Sequence, residues 1–379
     1  MGLDIGWIFF GLPIAFILGW LASRFDIRQL RMENRSNPKA YFKGLNYLLN
    51  EQQDQAIDAF IEAVQRDPDT SELHFALGNL FRRRGEFERA VRVHQHLLSR
   101  GDLSKADRDR AQYDLALDYV KAGILDRAEA ALRPLLNTSL APQALLALLS
   151  IYERSRDWRH AADISRQLDG QGQGNFSVRR AHYLCELAAS ETDLVQAEAL
   201  LKEAIQTAPD SARPRIALAH LLEQDSRYAK ACDQLVELAQ LVPAAMPLVA
   251  ASLARLAPLV QRQIPVLTLL QDSYHQLQSL DVLDGIVSLQ ASMGQSDGPA
   301  LFGLHLKNHP SLIAATQLLS GAPLSVEQQP QIQRALEHAA KPLRRYRCAA
   351  CGFEALQHFW QCPGCQAWDS YPPRRIEEL

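Results

Sequence analysis

The chain has 379 residues, of which 47% are hydrophobic, 22% charged and 7% aromatic, and its formal net charge is −3. That balance provides no basic field of the kind nucleic-acid binding requires, while the length suffices for two or three domains or one long repetitive one. Alanine, leucine, glutamine, glutamate and arginine recur throughout, a composition that favours helices over a β-sandwich or barrel.

The first expected element, residues 1–23, is a transmembrane anchor. IGWIFFGLPIAFILGWLA, Ile5 to Ala22, is eighteen residues without a charge, bounded by Asp4 and Arg24. At about 1.5 Å per residue it reaches about 27 Å, close to the hydrocarbon thickness of a bilayer. Trp7 and Trp20 fall near its ends, where amphipathic rings prefer the interface. A cleaved signal peptide fits less well, because the leading MGLD is not basic and no small-residue cleavage site follows. Residues 24–39 read as a basic juxtamembrane linker. Arg24, Arg28, Arg31 and Arg35 against Asp26 and Glu33 place the rest of the chain on the cytoplasmic side by the positive-inside bias.

Residues 40–243 show self-similarity. YFKGLNYLLNEQQDQAIDAFIEAVQRDP sets Gly44, Tyr47, Ala56, Phe60, Ala63 and Pro68 at tetratricopeptide spacings, and the next copy supplies Leu77, Gly78, Phe81, Gly85 and Ala90. The equivalent alanine returns at Ala128, Ala161, Ala197 and Ala231, so the steps from Ala56 are 34, 38, 33, 36 and 34 residues, the longest beside the polar insertion RGDLSKADRDR. Pro209 and Pro243 repeat the closing proline. Small residues are expected where the two helices of a hairpin approach closely. A lone hairpin cannot bury its apolar face, so stacked copies form a solenoid with a concave groove.

Residues 244–340 remain helical in pattern but lose the signature, with Pro247, Pro258 and Pro265 as punctuation, and read as degenerate repeats. No catalytic constellation stands out. His74, His94 and His182 read as packing or surface residues, Cys185 and Cys232 as packing thiols, and DGQGQGNFS as a loop between repeats.

Residues 344–371 carry the chemistry. CAACGFEALQHFWQCPGCQAWDS contains two C-x-x-C pairs ten residues apart. Each pair can aim two sulfurs at one point, so Cys348, Cys351, Cys362 and Cys365 are the expected ligands of one metal ion, iron or zinc. His358 lies between the pairs, but four sulfurs already close the site. A closed four-thiolate site has no open coordination position, which favours a structural role over catalysis. So short a fragment needs metal to fold, with Phe353, Phe359, Trp360 and Trp368 available to pack around it or against the solenoid. The CxxCG and CPxC forms resemble rubredoxin, and RRYR, Arg344 to Arg347, resembles the basic flank of a nucleic-acid zinc ribbon. No flavin or nicotinamide motif and no wider basic face accompanies them.

An anchor, tetratricopeptide repeats and a terminal CxxCG…CPxC module in that order resemble the lipopolysaccharide assembly protein B family, over essentially the whole chain. The resemblance implies an all-α fold: a tetratricopeptide-repeat superhelical solenoid with an N-terminal transmembrane helix and a small rubredoxin-like module docked on the repeats. It implies a non-enzymatic regulator of lipopolysaccharide synthesis at the cell inner membrane, single-pass, with a cytoplasmic C-terminal domain. Its implied partners are the FtsH protease, the LpxC deacetylase presented to it, and other lipopolysaccharide assembly proteins. A general scaffold assembling lipopolysaccharide synthesis and transport proteins is the alternative, and a homodimer is left open. The family's metal cysteines map onto Cys348, Cys351, Cys362 and Cys365. Gln366 departs from the glycine usual after the second pair in rubredoxins.

Overall fold

The structure is a computed structural model that describes residues 39–50, 52–66, 70–172, 174–295, 298–309, 311–319, 336, 337 and 339–379, together with Phe16 and Trp20. The expected anchor and nearly all of the linker therefore lie outside the described residues. Among the described residues, no helix is long and apolar enough to cross a membrane. The chain divides into two compact units, Met1–Arg154 and Ser155–Leu379.

In the first unit, helices α1 (Lys39–Leu49), α2 (Gln53–Arg66), α3 (Ser71–Arg84), α4 (Phe87–Ser99), α5 (Lys105–Ala122) and α6 (Leu125–Leu132) form successive antiparallel pairs, followed by α7 (Ala141–Ser155). Helix ends follow local chemistry. Gly85 at φ +81° and Gly123 at φ +77° close α3 and α5 in the left-handed region open to glycine, and the Ser104 hydroxyl accepts the Asp107 N–H at the start of α5. The polar insertion is largely absorbed by α5, which begins at Lys105 and is eighteen residues long. Pairs close on small residues: a Cβ on Gly44 would come 2.9 Å from the Phe60 ring. Ala56, Phe60, Leu73, Leu77, Phe81 and Ala90 form one apolar cluster.

A buried polar network links α3, α4 and α5. Arg82 donates to Asp114 and Asp118 at 2.9 Å each, and His94 Nδ1 lies 2.6 Å from the second oxygen of Asp118. The His94 and Asp118 side chains are fully buried. The imidazole occupies the space that Gly78 leaves, since a Cβ there would come 2.5 Å from His94 Cε1 and Nε2. His94 thus packs, as its position suggests, and also pairs.

The second unit contains α8 (Trp158–Gly170), α9 (Ser177–Ser190), α10 (Leu194–Thr207), α11 (Ala212–Gln224) and α12 (Tyr228–Leu241), then α13 (Met246–Leu259), α14 (Gln263–Leu277), α15 (Leu280–Ser292), α16 (Gly298–Asn308) and α17 (Leu312–Leu319). Ala161, Ala197 and Ala231 lie in α8, α10 and α12, each at most 1% exposed, as are Ala56, Ala90 and Ala128 in the first unit. At these positions a larger side chain would force the helix pair apart. Pro209 lies between α10 and α11, while Pro243 opens a short 3-10 turn that runs into α13.

Beyond α12 the packing changes. α13 packs chiefly on α15, where a Cβ on Gly285 would come 3.2 Å from the Ala250 carbonyl oxygen. Backbone-to-backbone approach of this kind needs glycine. Pro247 and Pro265 sit in first helical turns, where a missing N–H does little harm, whereas Pro258 lies one residue before the end of α13, where few further helical hydrogen bonds are left to disrupt. The unit ends in an antiparallel ribbon, β1 (Tyr346–Arg347) with β2 (Glu354–Ala355), which carries the cysteine knuckles.

Candidate metal centre

The two C-x-x-C segments fold into equivalent knuckles. Cys348 N–H donates to the Phe353 carbonyl and Gly352 N–H to the Cys348 carbonyl; Cys362 N–H donates to Ala367 and Gln366 N–H to Cys362, all within 2.8–2.9 Å. The residue after each pair has positive φ, +77° at Gly352 and +62° at Gln366. The departure from glycine at Gln366 thus keeps the loop geometry and places a side chain where the left-handed backbone disfavours one.

The four sulfurs lie within 4.8 Å of one another, with Cys348–Cys365 at 3.7 Å and Cys351–Cys362 at 3.6 Å. Four sulfurs at about 2.3 Å from a tetrahedral metal are about 3.8 Å apart, whereas a disulfide requires about 2.05 Å. Cys348 and Cys362 are buried, Cys351 and Cys365 exposed. Burial opposes ionisation of Cys348, but the Ser370 hydroxyl and the backbone N–H groups of Cys351 and Ala350 outweigh it and bring the thiol down to about 6. Cys351 goes the other way: the Phe353 backbone N–H favours its thiolate, yet hydrogen bonding with the thiols of Cys365, Cys362 and Cys348 pushes it up to about 12. Four thiolates this close need a cation to coexist, so the donor set fits one four-coordinate iron or zinc.

His358 stands apart from the sulfurs, its Nε2 donating to the Tyr371 carbonyl at 3.2 Å. Burial keeps its pKa low despite that carbonyl. Arg347 and Arg345 of the RRYR segment both reach the Glu354 carboxylate, at 2.8 and 3.6 Å.

The aromatic residues divide between the module and the repeats. Phe359 packs on Tyr371 and Trp360 on His358. Trp368 leaves the module and seats on α8 and α9, stacked on His182 and edge-on to Tyr183 and Trp158. Beside it, His182 Nε2 donates to Asp369 Oδ2 at 2.8 Å while Arg213 Nη1 lies 3.5 Å from Nδ1. A proton on Nε2 satisfies both contacts. A second clamp lies at the end of the chain, where the Glu378 carboxylate accepts the Leu280 N–H at the start of α15 at 2.8 Å and Arg375 pairs with Asp281. None of His182, Asp369, Trp158, Arg213, Arg375 or Glu378 is singled out by sequence spacing. The PRRIEEL ending, with acids able to cap helices and an arginine beside them, is the one local signal.

Helical-hairpin repeats with a docked pair of cysteine knuckles define a repeat scaffold protein carrying a single metal site. The family profile described as a rubredoxin metal binding domain matches residues 346–372, and a tetratricopeptide repeat profile matches residues 73–111. Lipopolysaccharide assembly protein B of Escherichia coli strain K12 is 31% identical, covering 97% of this chain and 98% of that one. The Haemophilus influenzae protein of the same name is 26% identical, covering 98% of each. Among solved structures, the TPR2AB-domain:pHSP90-complex of yeast Sti1 is similar with TM-score 0.34 and 15% identity, covering 71% of this chain and 96% of that one. The chain belongs to the lipopolysaccharide assembly protein B family.

Proposed function

We propose that the chain serves lipopolysaccharide assembly as an inner-membrane adaptor that presents the LpxC deacetylase to the FtsH protease. The observation that carries this reading is similarity to lipopolysaccharide assembly protein B along 97% of the chain, with the cysteine module matched at residues 346–372. Residues 1–23 are the anchor and residues 24–39 the linker, with the remaining chain cytoplasmic. Residues 40–243 and 244–340 are the repeat surface, and in residues 344–371 Cys348, Cys351, Cys362 and Cys365 hold one iron or zinc ion. The role is that of a binding protein rather than an enzyme. Confining adaptor and protease to one membrane raises their effective concentration, so weak contacts suffice.

The relatives' name speaks of assembly, which favours a second reading: a scaffold that gathers lipopolysaccharide synthesis and transport proteins without directing degradation. Capture of the anchored chain from membranes separates the two. Recovery of protease and deacetylase together supports the adaptor; recovery of synthesis and transport proteins without the protease supports the scaffold.

A further inference from the structure

Where the cysteine module meets the repeats, a cleft of about 440 Å³ remains open. That volume lies within the usual range of ligand pockets and admits one or two side chains. One wall comes from the repeats, through Val178, the Thr207–Ser211 turn and the Val242–Ala245 turn; the other comes from Trp360, Tyr371 and Pro373 of the module.

The charged groups are few and of one sign. The charged residues lining the cleft are Asp210 and Asp369, with no lysine or arginine among them, and burial disfavours the charged form of the lining His358. Asp369 is already held by His182, whereas Asp210 is exposed and has no ion-pair partner among the described residues. Ser211 occupies the cap position of α11, yet its hydroxyl makes no cap bond, and Oγ is shielded from solvent without a hydrogen-bond partner. A shielded hydroxyl of that kind is ordinarily satisfied.

We propose that this cleft binds an extended peptide segment of a partner, carrying one apolar side chain next to a lysine or arginine. The apolar side chain fills the space between Val178 and Trp360, the cation pairs with Asp210, and rotation of the Ser211 hydroxyl toward the cleft lets it bond a backbone group of the segment. Because the module supplies one wall, the site exists only while the knuckles are folded.

Fluorescence anisotropy of the full chain in detergent tests this with three labelled decapeptides: a central leucine flanked by lysines, the same leucine flanked by glutamates, and a serine flanked by lysines. The expected result is binding of the first at least about fivefold tighter than the other two, as one partly exposed ion pair and one buried apolar group allow. Asp210→Lys should invert the lysine-over-glutamate preference. Ala244→Trp, at an exposed position lining the cleft, should abolish binding, as should chelation that undocks the module, followed by tryptophan fluorescence. Equal binding of the three peptides, no binding at all, or a preference that ignores both substitutions overturns the proposal. So does self-association lost in Ala244→Trp without peptide binding, which would make a second copy of the chain the occupant.

Discussion

The imidazole of His182 lies nearly parallel to the indole of Trp368, with centroids 4.5 Å apart and an interplanar angle of 18°. The repeats and the knuckles meet through this pair, reinforced by the His182–Asp369 hydrogen bond of 2.8 Å. Removing the indole by Trp368→Ala should therefore weaken docking by about 3 kcal/mol, and His182→Ala by about 1–2 kcal/mol. Limited proteolysis should show faster cleavage around residues 341–345 in both variants while the helices of the first unit keep their protection. Unchanged cleavage there would mean that the stack does not hold the module.

Purified chain should carry about one tightly bound metal ion, as a single four-ligand site requires. Cys348→Ser or Cys362→Ser, at the buried positions, should lower that content, read by elemental analysis, and expose residues 344–371 to protease. Full folding of that segment without metal would contradict this.

At Gln366, replacement by glycine should relieve a left-handed residue and stabilise the second knuckle by about 1 kcal/mol. The measurement is the rate of metal loss to a chelator, which should slow. Faster loss would show that the glutamine side chain contributes more than its backbone costs.

Asp284 sets a pH dependence. Burial raises its pKa to about 6, against the opposing pull of Arg375, so the folded protein binds this proton more tightly than the unfolded chain does. The associated stability is fully present below about pH 4, the ordinary carboxylate pKa, and is lost as pH rises through about 6. Asp284→Asn should accordingly stabilise the second unit at pH 7.5 by on the order of 1–3 kcal/mol, with the gain vanishing near pH 4. Thermal unfolding at the two pH values checks this, and a gain independent of pH would assign the effect to packing instead.

The parts legible in the sequence are those written at short range. The repeat alanines recur every 33 to 38 residues because each hairpin needs a small residue at one crossing, and the knuckles are visible because both sulfurs of a pair lie three positions apart. Docking is not legible this way: His182 and Asp369 are 187 residues apart, and Leu280 and Glu378 are 98 apart, so no local pattern connects them. His182 lies on an amphipathic helix where a packing role is the ordinary expectation, and its partner becomes visible only in three dimensions. The change of packing after α12 is hidden for a related reason. The glycine at position 285 has the look of a weak helix residue until its approach to Ala250 is seen.

The most direct test of the adaptor role is the half-life of LpxC in cells that express either the full chain or residues 24–379 at native level, measured by pulse-chase. Tethering predicts that the truncated chain folds, retains its metal and fails to restore rapid turnover, so that the half-life lengthens as in cells lacking the protein and lipopolysaccharide rises. Normal LpxC turnover with the truncated chain would contradict tethering, and turnover indifferent to the presence of the protein would contradict the adaptor role itself.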